Sequence, residues 1–390
     1  MEFKISSGEL SSLLQSIAKI VPVNSTLPIL SHFLFEIENG SLHVTASDQS
    51  LRISGVLPLL SAEGNCSFTV RPKDVIDYIK NLPDQPLTFS YNQENSAVSV
   101  TFDGGYFKFV CSDASLYPRK LAPVSLQQKQ PEEEPVLHSA TLTVDTLRHA
   151  LDAALPAVAT DEKRPILTGV CMDFIPEGLT FVATNGFILT KMCDHKIVAV
   201  PNKEEHQRFV LPPKTANFLR GFLPRYAGEP VHVTYTQSKA VFSLGSVEIS
   251  TLLLAGRFPN YASIIPADSP HQVQIDGKRF NSVIKRIYTF LAEDKSIVKL
   301  QFTDQAIVIT SGVFGEEKMA QENFPCDVPE TLRMTIAFGT HDLVQILSCM
   351  GENDLIFHLA DQTRPLLVKP LDLEEGKDLL GLIVPKTISA

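Results

Sequence analysis

The residues whose types and spacing suggest chemistry are cations. Between Asp276 and Arg286 the chain carries Lys278, Arg279, Lys285 and Arg286 against one acid, and between Leu211 and Arg225 it carries Lys214, Arg220 and Arg225 against none. Arg71, Lys73 and Lys80 stand against Asp74 and Asp77 in a weaker excess, and Arg148 adds a further cation. The chemistry open to such groups is attraction to phosphate, since a nucleic-acid backbone responds to local potential. Any one of these segments also reads as a solvated helix face, and only their recurrence favours DNA. Residues for bond-making chemistry do not gather. There is no Gly-x-Gly-x-x-Gly, phosphate-binding Gly-Lys-Ser/Thr loop, His-Glu-x-x-His or Gly-x-Ser-x-Gly. The ten histidines are dispersed, and the six cysteines (Cys66, Cys111, Cys171, Cys193, Cys326, Cys349) form no C-x-x-C pair. We therefore expect buried reduced thiols, no metal, no cofactor and no catalytic residue. An enzyme with an unrecognised site between two domains stays an alternative, because convergent groups can lie far apart in sequence.

The elements that must position the cations come in threes. Leu10, Leu13, Leu14, Ile17 and Val21 follow the 0, 3, 4, 7, 11 spacing of one helix face, and Leu147, Ala150, Leu151, Ala154 and Val158 repeat it 137 residues later. Phe280, Val283, Ile284, Ile287 and Leu291 repeat it again after 133. Ser6 with Glu9 offers a capping box before the first. Leu27-Pro28-Ile29-Leu30 then leads into two apolar strands with a turn at Asn39-Gly40, and Arg164-Pro165-Ile166-Leu167 leads into two with a turn at Glu177-Gly178. Second helices follow at Pro72 to Pro83, Pro213 to Pro224 and around Asp342 to Leu347, then alternating strands such as Ala97 to Phe102 and Val231 to Tyr235. Each unit reads helix, strands, helix, strands. This is an α+β class, with domains expected at 1–124, 138–265 and 266–390 and a polar, proline-flanked linker at 125–137.

At 390 residues the chain exceeds what one core supports, and 44% hydrophobic with 20% charged residues is a globular composition. The formal charge of −10 opposes a tight DNA grip unless positive charge is concentrated on one surface. The N-terminus lacks a signal-peptide layout and no 18 apolar residues run together, so a cytoplasmic protein without membrane contact is expected.

With these repeats and the stretches Thr26-Leu27-Pro28-Ile29-Leu30, Val182-Ala183-Thr184-Asn185-Gly186, Gly256-Arg257-Phe258-Pro259-Asn260-Tyr261 and Leu382-Ile383-Val384-Pro385, the chain resembles the bacterial DNA polymerase III beta subunits over its full length. The resemblance implies three tandem clamp domains, helices inside and sheets outside, closing as a head-to-tail homodimer into a ring that encircles duplex DNA without reading its sequence. It implies a non-catalytic processivity factor tethering the replicative polymerase alpha subunit. The clamp-loader complex, other polymerases, ligase and mismatch-repair proteins would dock through short peptides. A triplicated peptide-binding scaffold that does not encircle DNA is the competing reading. By motif, the peptide groove would comprise Leu167, Thr184, Gly186, Phe187, Leu189, Pro259, Ile264, Pro365, Leu382, Ile383, Val384 and Pro385. The cations named first, Arg225 apart, become the DNA-facing candidates. Phe107, Phe109, Phe290 and Leu291 match the dimer seam, or else are core within their own domains. The chain departs from the family pattern at Asn185, at Phe187-Ile188 where His-Arg is usual, at Asn24 where a basic residue is frequent, and in its ending Pro385-Lys386-Thr387-Ile388-Ser389-Ala390. A less basic, more apolar groove rim is expected, with peptide binding that responds little to salt.

Overall fold

Alternation with period two is frequent in this sequence, and the described residues answer it with four antiparallel sheets. The computed structural model describes residues 1–119, 121, 138–161, 163–197, 207–291, 296–312 and 318–387, so the linker expected at 125–137 and the last three residues lie outside the described residues. The helices are α1 (Ser7–Ile17), α2 (Pro72–Ile79), α3 (Val144–Ala154), α4 (Pro213–Phe222), α5 (Gly277–Leu291) and α6 (Thr340–Cys349). The repeated apolar stripe is core in all three copies: Leu10, Leu14, Ile17, Leu147, Ala150, Leu151, Phe280 and Ile284 are wholly buried. Ser6 caps α1 by accepting from the Glu9 amide, and Asp84 accepts from the Gly8 amide beside it. Both Pro-Ile-Leu segments fold as single 3-10 turns, Pro28–Ser31 and Pro165–Leu167, each burying its leucine. At the predicted Asn39-Gly40 hairpin both residues have positive φ, 51° and 76°.

The chain divides into two compact units, Met1–Val144 with Gly221–Leu253, and Asp145–Arg220 with Leu254–Ala390. In the first, an eight-stranded sheet runs in the order His138–Thr143, Pro230–Tyr235, Lys239–Leu244, Val247–Leu252, Leu51–Pro58, Ser41–Ser47, Phe33–Glu38, Cys66–Val70. Four strands come from the middle repeat and four from the first, joined where Val247–Thr251 pairs antiparallel with Leu51–Gly55. A five-stranded sheet in the same unit ends at Gly105–Val110.

In the second unit an eight-stranded sheet runs Gln207–Leu211, Val170–Ile175, Gly178–Thr184, Ile188–Asp194, Lys377–Ile383, Leu366–Pro370, Leu355–Leu359, His271–Ile275. Its junction between middle and third repeats is Ile188–Asp194 against Lys377–Ile383. A four-stranded sheet runs Ala320–Pro325, Ala306–Ser311, Ile297–Phe302, Thr335–Gly339. Both junctions use the same parts: the last strand of one repeat pairs with the third hairpin strand of the preceding one. No helix among the described residues is long and apolar enough to cross a membrane.

The second junction also carries a titrating contact. His195 Nε2 lies 2.7 Å from Asp378 Oδ2, and Nδ1 lies 2.8 Å from the Glu177 carbonyl. The Asp378 carboxylate, then the Glu177 carbonyl, hold the imidazole above its ordinary 6.5. A raised folded-state value means that the contact stabilises fully below the unfolded value and fades as pH rises through the folded one. In thermal melts, His195→Gln should therefore lower Tm most at and below the ordinary histidine range, with the gap closing as pH rises through the raised folded-state value. A gap independent of pH would mean that the histidine acts only by packing.

Candidate functional site

Three strands and a 3-10 turn of the second unit bring the predicted groove residues together. Leu189 and Leu382 are cross-strand partners, and Leu382 also faces Leu367 across the next pair. With Leu167, Cys171, Val182, Val210, Phe258 and Tyr261 they form one buried apolar cluster, flanked by half-buried Ile166, Leu254, Ile265 and Val384. Ile383 is also fully buried but, by strand alternation, points to the opposite sheet face, opposite Ile188 and Leu366. Pro259 and Pro365 are half-buried beside cluster segments, while Ile264 is exposed. Cys171, Val210, Leu367 and Leu254 also belong to or pack on this cluster, and their sequence signal is only that of buried strands and loops; Val182 and Ile166 lie in stretches already singled out by motif.

A tight turn presents the rim. Asn185 Oδ1 accepts from the amides of Phe187 and Ile188 at 2.8 and 2.9 Å, Thr184 Oγ1 accepts from Gly186 at 3.1 Å, and Gly186 takes φ 96°. An Asn serves this turn as an Asp would, because either side chain accepts both amides. The turn leaves Phe187 51% exposed, and the Val384 amide donates to the Phe187 carbonyl at 2.9 Å, tying the C-terminal segment alongside. Lys386 then places Nζ 4.0 Å from the centre of the Phe187 ring while its amide donates to the Ala337 carbonyl. One cation, Lys386, thus stands against the exposed ring of the turn expected to be less basic and more apolar. Residues 187 and 386 are too far apart in sequence for their meeting to be read there.

Below the cluster sits a buried carboxylate. Tyr261 donates its hydroxyl to Asp173 Oδ2 at 3.0 Å, and Arg208 Nη2 lies 3.8 Å from the same oxygen. Burial first, and then Asp173, push the Tyr261 hydroxyl well above its ordinary range, so it remains a donor. Asp173→Ala should cost about 1–3 kcal/mol in urea unfolding, since it leaves the buried Tyr261 hydroxyl without its acceptor, while the exposed Arg208 guanidinium keeps its water. A loss below about 0.5 kcal/mol would show that neither group depends on the carboxylate.

The other candidates disperse over the helices. Arg71, Lys80, Arg148, Arg220, Lys278, Arg279 and Arg286 each meet an acid (Asp74, Asp77, Asp145, Asp152, Glu352, Asp276 and Glu322) at 2.6 to 4.0 Å. Lys73, Lys214 and Lys285 are exposed on α2, α4 and α5. Arg225 turns onto α1, donating to Ser16 Oγ and the Ser12 carbonyl. Of the seam candidates, Phe107 is half-buried on the edge strand Gly105–Val110, stacked on Tyr78 at 4.2 Å, and Phe290 is 53% exposed at the end of α5. Phe109 and Leu291 are buried inside their own repeats, 9% and 6% exposed. All six cysteines are free, four of them buried and Cys66 and Cys326 half-buried, where burial pushes both thiols up to about 11. The described residues hold no group of three or more His, Cys, Asp or Glu fit to bind a metal.

Family models match the chain repeat by repeat: the N-terminal, central and C-terminal domains of the DNA polymerase III beta subunit over residues 1–119, 141–260 and 262–380. The beta sliding clamp of Synechococcus elongatus is 26% identical over 377 residues, 95% of this chain and 96% of that protein. That of Chlamydia muridarum is 25% identical over 373 residues, 94% and 95%. Among solved structures, the DNA polymerase III subunit beta from Pseudomonas aeruginosa has a TM-score of 0.88 at 22% identity, and a sliding clamp from Bartonella birtlesii bound to griselimycin has 0.83 at 22%, each covering 100% of both chains. Three tandem clamp domains are thus the architecture. The chain belongs to the DNA polymerase III beta subunit family, the sliding clamps, whose members encircle DNA and confer processivity without catalysis. That membership disfavours both the free scaffold and the enzyme.

Proposed function

We propose that two copies of this chain close head to tail around duplex DNA, with the apolar cluster of the second unit as the docking place for partner peptides. The observation that carries the ring is the repeated junction. Val247–Leu252 pairs with Leu51–Pro58, and Lys377–Ile383 with Ile188–Asp194. The same rule leaves one donor strand, Gly105–Val110, and one acceptor strand, Ala320–Pro325, as sheet edges. A long open edge is a liability that proteins cover, and a second copy offers each edge its complement. Phe107 lies on the first edge, and α5, whose last turn carries Phe290, packs on the second. Phe109 and Leu291 support these strands from within.

The DNA-facing candidates lie on or at the ends of helices α2 to α5, and their ion pairs mute the positive field. That suits a protein retained by topology, which needs only weak attraction to phosphate. Leu167, Leu189 and Leu382 form the docking floor, with Phe187, Val384 and Pro385 at its rim. Its occupants are peptides of the replicative polymerase, clamp loader, ligase and repair proteins, met in the cytoplasm. We read the domain boundaries at 1–124, 138–265 and 266–390. Light scattering at micromolar concentration should give twice the 43.0 kDa of one chain. A monomer under those conditions would overturn ring closure.

A further inference from the structure

We infer that the cavity between α3 and the end of α6 in the second unit is a seat for an alkylguanidinium group, at the place that an arginine of this same chain fills at the other repeat junction. The template is Arg225 in the first unit, which donates to the Ser12 carbonyl at 3.3 Å and to Ser16 Oγ on α1. The repeats carry that seat over to the second unit. The 137-residue spacing of the helix stripes puts His149, Asp152 and Ala153 of α3 where Ser12, Gln15 and Ser16 stand on α1. Because α4 starts at Pro213 and α6 at Thr340, Arg225 and Glu352 hold equivalent places after them. The two chain paths part just before those residues. Pro224 sits in a 3-10 turn, Leu223–Tyr226, that carries Arg225 onto α1, whereas Gly351, at φ 72°, closes α6 and sends Glu352 to Lys278, 3.2 Å away. Beside α3 there is instead a cavity of about 430 Å³, lined by His149, Asp152 and Ala153 and by residues 348–351.

The walls suit both ends of such a group. Met192 and Leu379 are cross-strand partners on the sheet face opposite Leu382, and with Met350 they offer soft apolar contact to an alkyl stem. The cavity shares no lining residue with the apolar cluster on the other face. Its polar end is acidic, with Asp152, Asp372 and Glu374 against Lys377. Glu374 is already engaged, 2.6 Å from Lys377 and 3.7 Å from Lys196. Asp152 is held loosely, 3.8 Å from Arg220, and Asp372 meets no cation among the described residues. His149 faces Arg148, with 3.1 Å between Nε2 and Nη2. The C-terminal end of α6 adds the negative end of a helix dipole, although side chains of Ser348, Cys349 and Asn353 take some of its carbonyls. A guanidinium spreads five N–H donors over such a rim, where an ammonium is a point charge.

The test uses the full chain with isotope-labelled methionine methyls, titrated by NMR with butylguanidinium, neutral butylurea and the peptide acetyl-Gly-Arg-Gly amide. Butylguanidinium should move the Met192 and Met350 signals, leave that of exposed Met319 outside the cavity unmoved, and bind about fivefold tighter than butylurea. The double substitution Asp152→Asn with Asp372→Asn should erase that preference. Shifts with the peptide as well assign the seat to arginine side chains of a partner protein, and shifts with butylguanidinium alone assign it to a small molecule. Unmoved Met192 and Met350 signals, equal binding of butylurea, or a preference that survives the double substitution overturns the inference.

Discussion

On nicked circular duplex DNA, with a compatible clamp loader and ATP, the protein should survive a wash at about 0.5 M salt and then be released when the circle is cut. Contacts to phosphate alone cannot produce that difference. Their strength falls steeply with salt, by about a thousandfold or more between dilute and moderate salt for six to ten phosphates, whatever the shape of the DNA ends. A closed ring has no such dependence, and retention on circles should exceed that on linear DNA by at least on the order of tenfold. The edges Gly105–Val110 and Ala320–Pro325 supply the control. Phe290→Asp puts a charge on an exposed position at one edge without entering the core, where Leu291→Asp would unfold its own repeat. Burying that charge in an apolar seam costs several kcal/mol, so the dimer constant should weaken by about a hundredfold or more. Retention on circles should fall with it. A wild-type chain equally salt-sensitive on circles and on linear DNA would exclude the ring. A Phe290→Asp chain still dimeric at nanomolar concentration would place the seam elsewhere.

Deletion of residues 384–390 should weaken peptide capture about thirtyfold or more and leave the dimer mass unchanged. The cut falls after Ile383 for a structural reason. Leu382 and Ile383 are buried in a strand paired on both sides, and removing them would open the sheet junction itself. Val384, Pro385 and Lys386 lie beyond it, held by the amide bonds of Val384 to Phe187 and of Lys386 to Ala337. Their loss strips one wall from the apolar site and frees the Phe187 turn. Losing a central wall of a small site typically costs 2 kcal/mol or more, about thirtyfold in affinity. A Gln-Leu-Asn-Leu-Phe peptide reports this by fluorescence anisotropy. Undiminished binding after deletion would remove the C-terminal segment from the site. A monomer after deletion would mean that the tail reaches the ring seam.

Local pattern and repetition made much of this protein legible. The 3.6-residue stripes of α1, α3 and α5 and the alternating strands follow from side-chain period alone, so three similar units with equivalent helices could be read directly. The motif at Leu167 and the apolar end at Leu382 likewise pointed to members of the apolar cluster proposed as the peptide site, and the Asn185 stretch to the turn beside it, since each is a short contiguous stretch. What sequence left undecided was which strands meet. Hydrophobic alternation says that a strand is buried on one face and says nothing of its lateral partner, because backbone hydrogen bonds are the same for every sequence. Only the tertiary structure shares the middle repeat between two sheets and leaves Gly105–Val110 and Ala320–Pro325 as edges. The same limit hid Lys386 on Phe187, a contact between groups 199 positions apart whose attraction depends on geometry that no local spacing encodes. It also decided that Leu382 joins the apolar cluster while Ile383, one residue on, turns to the opposite face, since a strand's register fixes which of two equal neighbours faces the site.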